Sequence, residues 1–275
     1  MKKSTRDVAN RGLRTVVYFL ILAFFLFPIL WIFATAFKTG AEFMHTPPIW
    51  IPRHPTLAAF AHAIEVGGLG ALKNSLIISI SATALSLIVG SMAGYGLARY
   101  RLGGDDLPFF ILSLRFMPAV AVIFPFLLLF RSLKWMDTYQ ALIILHLTFN
   151  LPYAVWMMRS FFIEVPREIE ESGLVDGASP FGVFWKISMP LVTPGLIATG
   201  VFCFIFSWSE FFFALSLTHT KAVPLSVFLP NFFGKMMVMW GEVGAMSVIA
   251  VAPLFVLSII VQRYLVRGLT MGAVK

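Results

Sequence analysis

Long apolar stretches alternate with short polar ones along this chain, and the apolar stretches share a common length. Six of them, residues 15–37, 72–98, 107–130, 139–162, 194–218 and 245–266, reach the roughly 20 residues that a helix needs to cross a hydrocarbon core of about 30 Å. The pattern therefore predicts an all-α polytopic membrane protein with six transmembrane helices. Between the spans lie two long polar segments, 38–71 and 219–244, and a third, 164–193, that is rich in acids. Pro47, Pro48, Pro52 and Pro55 make 38–71 read as an extended, stiff connection, because proline fixes φ and restricts the residue before it. Pro28, Pro118 and Pro125 are expected to kink the first and third spans.

Composition supports this class. Of 275 residues, 59% are hydrophobic and 12% charged, with mean hydropathy +0.87, whereas soluble domains carry about 25% charged residues. A formal net charge of +8 would suggest nucleic acid for a soluble chain. Here the basic residues gather at the amino terminus and in short loops, which is a topology signal. With the amino terminus inside, Lys2, Lys3, Arg6, Arg11, Arg14, Arg99, Arg101, Arg159, Arg167 and Lys186 all fall on one side. Both termini are thus expected in the cytoplasm, with 1–14 as a basic tail and 268–275 as a second tail. Ala34-Thr35-Ala36 mimics a signal-cleavage site, but the apolar run from Val16 to Phe33 exceeds the usual ~7–15 residues. An uncleaved first span is expected. Cys203 is the single cysteine, so neither an intrachain disulfide nor a thiolate metal cluster can form, and no metal site is expected.

The acidic segment 164–193 then faces the cytoplasm, and its residues order themselves. Pro166 suits a helix start, and Glu168, Glu170 and Glu171 follow where carboxylates favour the positive end of the helix dipole. Ser172 and Gly173 are small enough to let a neighbour approach closely. Asp176-Gly177 signals a turn that tolerates positive φ. Ser179-Pro180 offers an N-cap with proline at the first helical position, after which Phe181, Phe184, Trp185 and Ser188 recur at helical spacing until Pro190 ends the helix. The expected product is helix, glycine turn, helix, with an aromatic stripe that nothing in the loop buries. A membrane-surface helix would want basic residues on its polar face, and this loop is acidic, so the stripe reads as a docking face for a protein partner.

At Glu170-Glu171-Ser172-Gly173-Leu174-Val175-Asp176-Gly177-Ala178, followed by Phe184, Ile187, Pro190 and Leu191, the chain resembles the EAA loop of permease subunits in binding-protein-dependent ABC importers. The family usually carries two alanines after the glutamate, where this chain has Ser172 and Gly173. The stretches beginning at Phe37, Phe149 and Phe204 resemble the carbohydrate-uptake branch, the maltose permease G-type subunit, with Ser209 standing where many relatives carry Asn. The resemblance implies a type I ABC importer permease fold, with a permease core over 72–267 and a coupling loop over 164–193. It implies a second homologous permease, two cytoplasmic ATPase subunits docked on the two loops, and an extracytoplasmic solute-binding protein that delivers a sugar. ATP and Mg would sit on the partner ATPase. The chain itself has no G-x-x-x-x-G-K-[ST] phosphate loop, so it is not expected to be an enzyme or to hold a cofactor. The implied location is the bacterial cytoplasmic (inner) membrane. The outer residues Pro230, Asn231, Phe232 and Phe233 would contact the binding protein or anchor at the lipid interface.

Polar residues within spans are candidates for the translocation path, because charge at such depth usually faces the bundle interior. Arg115 lies about 12 Å from the inner end of its span and Glu210 about 24 Å from the inner end of its own, by helical rise, so they are not expected to pair directly. His146 lies closer to Glu210 in depth, with Asn150 one turn further on the same face. Trp208, Glu210 and Asn150 are the residue types that bind sugars, while structural hydrogen bonding and plain aromatic filling are the ordinary alternatives. Ser79, Thr83, Ser86, Gly90 and Gly94 form a small-residue ridge on the second span, which packs on either this chain or the second permease. An ion-coupled secondary transporter, with His146, Glu210 and Arg115 as a relay, is the alternative class; it would want half-repeats and broken helices, which the pattern does not suggest.

Overall fold

The structure, a computed structural model, describes residues 5–100, 102–104, 106–234 and 238–271, except for the side chains of 5–11 and 263–271. Of the expected tails 1–14 and 268–275, residues 1–4 and 272–275 lie outside the described residues, as do Arg101 and Lys235. The chain begins with α1 (Thr5–Thr35), α2 (Gly40–Phe43), α3 (Ala58–Glu65) and α4 (Gly68–Tyr100). There follow α5 (Asp106–Ser113), prolonged by the 3-10 turn Leu114–Phe116, then α6 (Ala119–Ser132), α7 (Tyr139–Glu164) and α8 (Arg167–Val175). Next come α9 (Pro180–Val183), a π-helical turn Phe184–Ser188, α10 (Met189–Leu191), α11 (Thr193–Trp208) and α12 (Phe212–Leu217). The last elements are α13 (Leu225–Phe228), a 3-10 turn Leu229–Phe232, and α14 (Trp240–Met271).

Among the described residues, four helices contain apolar windows long enough to cross a membrane: Gly12–Thr35, Gly68–Tyr100, Tyr139–Glu164 and Trp240–Gln262. Two further spans arise from bent pairs, Asp106–Phe116 with Ala119–Ser132 at 85°, and Pro180–Leu191 with Thr193–Trp208 at 79°. Six spans result if each bent pair is one. The expected continuity of spans 107–130 and 194–218 is corrected here, and each break has a local cause. Met117 precedes Pro118 and is held at ψ 130, outside the helical region, so α5 and α6 cannot run on. In the fifth stretch α11 stops at Trp208, and Glu210 begins α12 by accepting hydrogen bonds from the backbone N–H of Phe213 (2.8 Å) and Ala214 (3.0 Å). Broken helices, argued absent from the sequence, are thus present. Pro28 and Pro125 stay inside continuous helices.

Residues cluster into two units, one formed by Met1–Gly68 with Leu229–Val251, the other by Leu69–Phe228 with Ala252–Lys275. In the first, the apolar window of α1 has no buried residue, and Phe24 and Leu30 are exposed, as a lipid-facing helix requires. The end of α1 meets α14 where Gly244 lies: a Cβ there would sit 2.8 Å from the Ala36 nitrogen. His62 Nδ1 pairs with Glu242 at 2.9 Å. The segment 38–71 holds α2 and α3 rather than running extended throughout. Its proline-rich part is stapled by Glu42, which accepts from the backbone N–H of Thr39 (2.9 Å), Arg53 (2.7 Å) and His54 (3.3 Å). The Thr39 hydrogen bond leads these in holding the Glu42 carboxyl down at about 2.

In the second unit the small-residue ridge of α4 faces its own chain. A Cβ on Gly90 would lie 2.7 Å from the Ala154 methyl, and one on Gly94 would lie 2.8 Å from the Arg159 nitrogen. The backbones of α4 and α7 therefore touch, which is how helices associate in a solvent as apolar as they are. A core of Ile78, Ile123, Phe130, Leu142, Leu145, Phe213 and Leu217 fills one end of the unit. A second, of Ala98, Met158, Phe162, Val165, Phe184 and Val192, fills another. Asp137, at φ 58 between α6 and α7, accepts from the backbone N–H of His219, Thr220, Lys221 and Ala222 at 3.1, 3.0, 2.9 and 3.1 Å. Burial pushes its carboxyl up, but these N–H groups outweigh that and hold it well below the ordinary range.

Two predictions follow from this packing. Gly94→Leu should destabilise the protein by about 1–3 kcal/mol or prevent its accumulation, since the neighbour is backbone and cannot yield; thermal unfolding in detergent measures this. Because the folded-state pKa of Asp137 is depressed, its stabilisation is full above the unfolded value near 4 and is lost as pH falls through the folded one. Asp137→Ala should therefore lower the melting temperature at pH 7, with a gap to wild type that narrows on acidification.

Candidate functional site

The acidic loop folds as its residues dictate. Pro166 caps α8, with Glu168 and Glu170 in the first turn. At its end Gly177 takes φ 86, and the Ala178 and Gly177 N–H groups bond the Gly173 and Leu174 carbonyls at 3.0 Å each, a Schellman closure. Ser179 Oγ accepts from the Gly182 N–H at 3.1 Å and Pro180 stands at the start of α9. Gly173 is buried where the loop's two helical pieces meet, and a Cβ there would strike the Ile187 side chain. Pro190 does not terminate the run alone; it lies within α10, and the chain bends at Val192.

The loop has two faces, and here the expected exposed stripe needs correction. Phe184 and Ser188 are buried, because Tyr95 of α4 and Phe162 of α7 form an aromatic recess for Phe184, with ring centroids 5.0 and 6.1 Å away. Phe181 and Trp185 point outward, beside Leu174 and Val175, and Val175 is 87% exposed. Glu171, Ser172, Asp176 and Gly177 are exposed with them, and Ala178 is partly so.

Glu170 also turns inward. Its carboxylate is buried and accepts from Arg99 Nε at 2.6 Å and Nη2 at 2.8 Å, from Ser188 Oγ at 2.6 Å and from the Tyr95 hydroxyl at 3.3 Å. Arg99 Nη2 further donates to the Val165 carbonyl at 3.1 Å. Burial alone pushes the Glu170 carboxyl up, but the Arg99 and Ser188 hydrogen bonds outweigh it and hold the group below the ordinary carboxylate range. Arg99 and Tyr95 were not singled out from sequence as site residues, and Ser188 was read as part of the exposed stripe. An arginine closing an apolar run opposite three glutamates was the available signal, and spacing does not say which glutamate it takes.

The breaks at Met117 and at Ser209–Phe211 open a cavity of about 360 Å³ in the second unit. Arg115, His146, Asn150 and Glu210 all line it; Arg115 and Glu210 share its wall, but their hydrogen bonds run elsewhere, Arg115 to the Phe149 carbonyl and Glu210 to the start of α12. Arg115 Nη1 donates to the Phe149 carbonyl at 2.6 Å, and its guanidinium lies 4.0 Å from the Phe206 ring centroid and 5.6 Å from that of Tyr153. His146 is buried with both ring nitrogens lacking a hydrogen bond, its Nε2 lying 3.5 Å from Glu210 Oε2. Asn150 Nδ2 donates to the Cys203 carbonyl at 3.1 Å and Ser207 Oγ at 2.8 Å, tying α7 to α11. Trp208 does not line the cavity; its buried ring stacks on Phe204 with centroids 5.4 Å apart. Phe149, Phe206, Ser207 and Phe213 complete the wall, and in a chain with 29 Phe nothing in the sequence separated them from filler. In the first unit Pro230, Asn231 and Phe233 are exposed, but Phe232 is buried, which corrects its expected place in a contact surface.

Residues 86–271 match the family model described as binding-protein-dependent transport system inner membrane component. The chain is 41% identical to a probable ABC transporter permease protein of Sinorhizobium fredii, over 99% of both chains. It is 32% identical to the sulfoquinovosyl glycerol transport system permease protein of Agrobacterium fabrum, over 97% of this chain and 95% of that one. To the trehalose/maltose transport system permease protein of Thermococcus litoralis it is 31% identical over 98% of each. Its fold is similar to a chain in the crystal structure of a bacterial ABC transporter involved in the import of the acidic polysaccharide alginate, with TM-score 0.81 at 23% identity, covering 96% of this chain and 99% of that one. A family match over more than half the chain and relatives along its whole length lead to one conclusion: the chain belongs to the binding-protein-dependent transport system inner membrane component family.

Proposed function

We propose that this chain is the membrane-spanning permease subunit of an ATP-driven importer for a carbohydrate delivered by an extracytoplasmic binding protein. The carrying observation is the two-faced loop, held by its inner face and offering Leu174, Val175, Phe181 and Trp185 to a partner around the Gly177 turn. Its partners are a second homologous permease and two ATPase subunits that hold ATP and Mg, one docked on each permease loop. Closure of the ATPases moves the loop and rocks the spans between inward-facing and outward-facing states. Both termini lie in the cytoplasm, as the placement of Lys and Arg favours. Relatives named for sulfoquinovosyl glycerol and trehalose/maltose transport support a carbohydrate cargo. The cavity supports it too: Arg115 and His146 line it together with Asn150 and Glu210, among the apolar rings of Phe149, Phe206 and Phe213, the mixture of polar groups and aromatic surface that sugar binding uses. Pro230, Asn231 and Phe233 form part of the outer surface that meets the binding protein.

The 3.5 Å approach of His146 to Glu210 favours a second reading, a proton relay in an ion-coupled transporter. Uptake that stops on ATP depletion but survives collapse of the membrane potential and pH gradient supports the importer; the reverse supports the relay. Trp185→Ala should weaken ATPase association by roughly 2 kcal/mol, the cost of truncating an aromatic anchor. Gly177→Val, strained at positive φ, should lower co-purified ATPase and uptake together. Full ATPase binding and unchanged uptake in both would contradict the docking role. Arg115→Gln should raise the KM for the transported sugar roughly tenfold while ATPase co-purifies normally, as the loss of one charge-assisted hydrogen bond implies.

A further inference from the structure

Adjacent glutamates in the loop have opposite surroundings. Glu171 is exposed, whereas one helical step away the Glu170 side chain is 7% exposed and the Arg99 side chain 8%. Around their bidentate pair, four parts of the second unit converge: α4 through Tyr95 and Arg99, the end of α7 through the Val165 carbonyl, α8 through Glu170, and the π turn through Ser188. Arg167 Nη2 adds a bond to the Arg99 carbonyl at 3.3 Å. The loop is joined covalently to α7 and α11, so those two helices follow it in any case. α4 is not; besides the rings of Tyr95 and Phe184, polar attachment to α4 runs through this cluster.

We propose that Glu170 is a positioning residue for transport, the joint through which movement of the loop is handed to α4 by way of Arg99. Resting on the importer reading, this names the internal half of the coupling site, whose external half is the apolar outer face. Three features argue for it. A dry bidentate pair with its remaining lone pairs satisfied holds one geometry and cannot slide, because partial separation leaves buried charge unpaired. Beyond the joint, α4 lies backbone-to-backbone on α7 at Gly90 and Gly94, a contact that holds its far part while the joint fixes its loop end. Against the same α7 packs α5, whose 3-10 extension carries Arg115 to the cavity. Loop, joint, α4, α7 and α5 are thus in packing contact one with the next, from the partner-facing surface to the cavity wall.

The test is the number of ATP molecules hydrolysed per sugar imported by the complete importer in liposomes, with ATPase co-purification recorded alongside. Glu170→Gln keeps the shape and the Ser188 bond but removes the charge. It should leave the ATPase bound and hydrolysing while uptake falls roughly tenfold, within the usual range of coupling between sites. Arg99→Lys, which keeps the charge but loses the two-pronged geometry, should give an intermediate ratio. A wild-type ratio in both variants overturns the joint. Should Glu170→Gln fail to assemble, Ser188→Ala decides, since it deletes one hydrogen bond and leaves the ion pair: a raised ratio supports the proposal and a wild-type ratio overturns it. A wild-type importer showing no ATP-dependent uptake would instead overturn the importer reading, and the joint with it.

Discussion

One buried carboxylate organises the cytoplasmic end of this protein. Glu170 sits where Arg99, Ser188 and Tyr95 all donate to it, and the Arg99 side chain is itself largely buried against it. Pairs of this kind contribute little net stability, since desolvation offsets most of the attraction, but removing one partner is costly. Their value is in specifying one geometry. Here the geometry presses Phe184 into its aromatic recess and, because α8 and the π turn are bound at Gly173, forces Phe181 and Trp185 outward. The partner-facing surface is thus a consequence of the buried one.

At membrane depth the governing constraint is the backbone. A helix interrupted in hydrocarbon leaves N–H and C=O groups that need partners, and such breaks survive where side chains supply them or where they line a cavity. Both conditions hold in the second unit. Glu210 satisfies the first N–H groups of α12. The cavity lies beside this repair. His146 is buried beside it with neither ring nitrogen in a hydrogen bond, its Nε2 lying 3.5 Å from Glu210 Oε2.

Much of this was legible beforehand, for identifiable reasons. Local rules carried the loop: a proline at a helix start, Ser179-Pro180 as cap and first residue, and a glycine where φ must be positive all act within four residues, and all were readable. Span count followed from length alone. What escaped reading depends on partners far along the chain. Spacing could not tell which of three glutamates Arg99 would take, nor that Phe184 would find Tyr95, nor that Asp137 would collect four N–H groups from beyond residue 218. That Arg115 and Glu210 share one cavity wall was hidden too, because α11 stops at Trp208 and helical rise no longer gives the depth of Glu210. Trp208 and Phe232 failed because aromatic residues serve packing and binding equally well, and only burial separates the roles.

The claim that most needs testing is that one loop is simultaneously anchored inward and docked outward. Thiol labelling from the cytoplasmic side measures both faces at once, using single cysteines placed at Val175, Trp185 and Ser188 in a Cys203→Ser background. Labelling at 175 and 185 should be rapid in the isolated chain and strongly suppressed once the ATPase subunits bind, while position 188 stays protected throughout. Equal labelling at 175 and 185 with and without the ATPase, or rapid labelling at 188 in the isolated chain, would contradict the account.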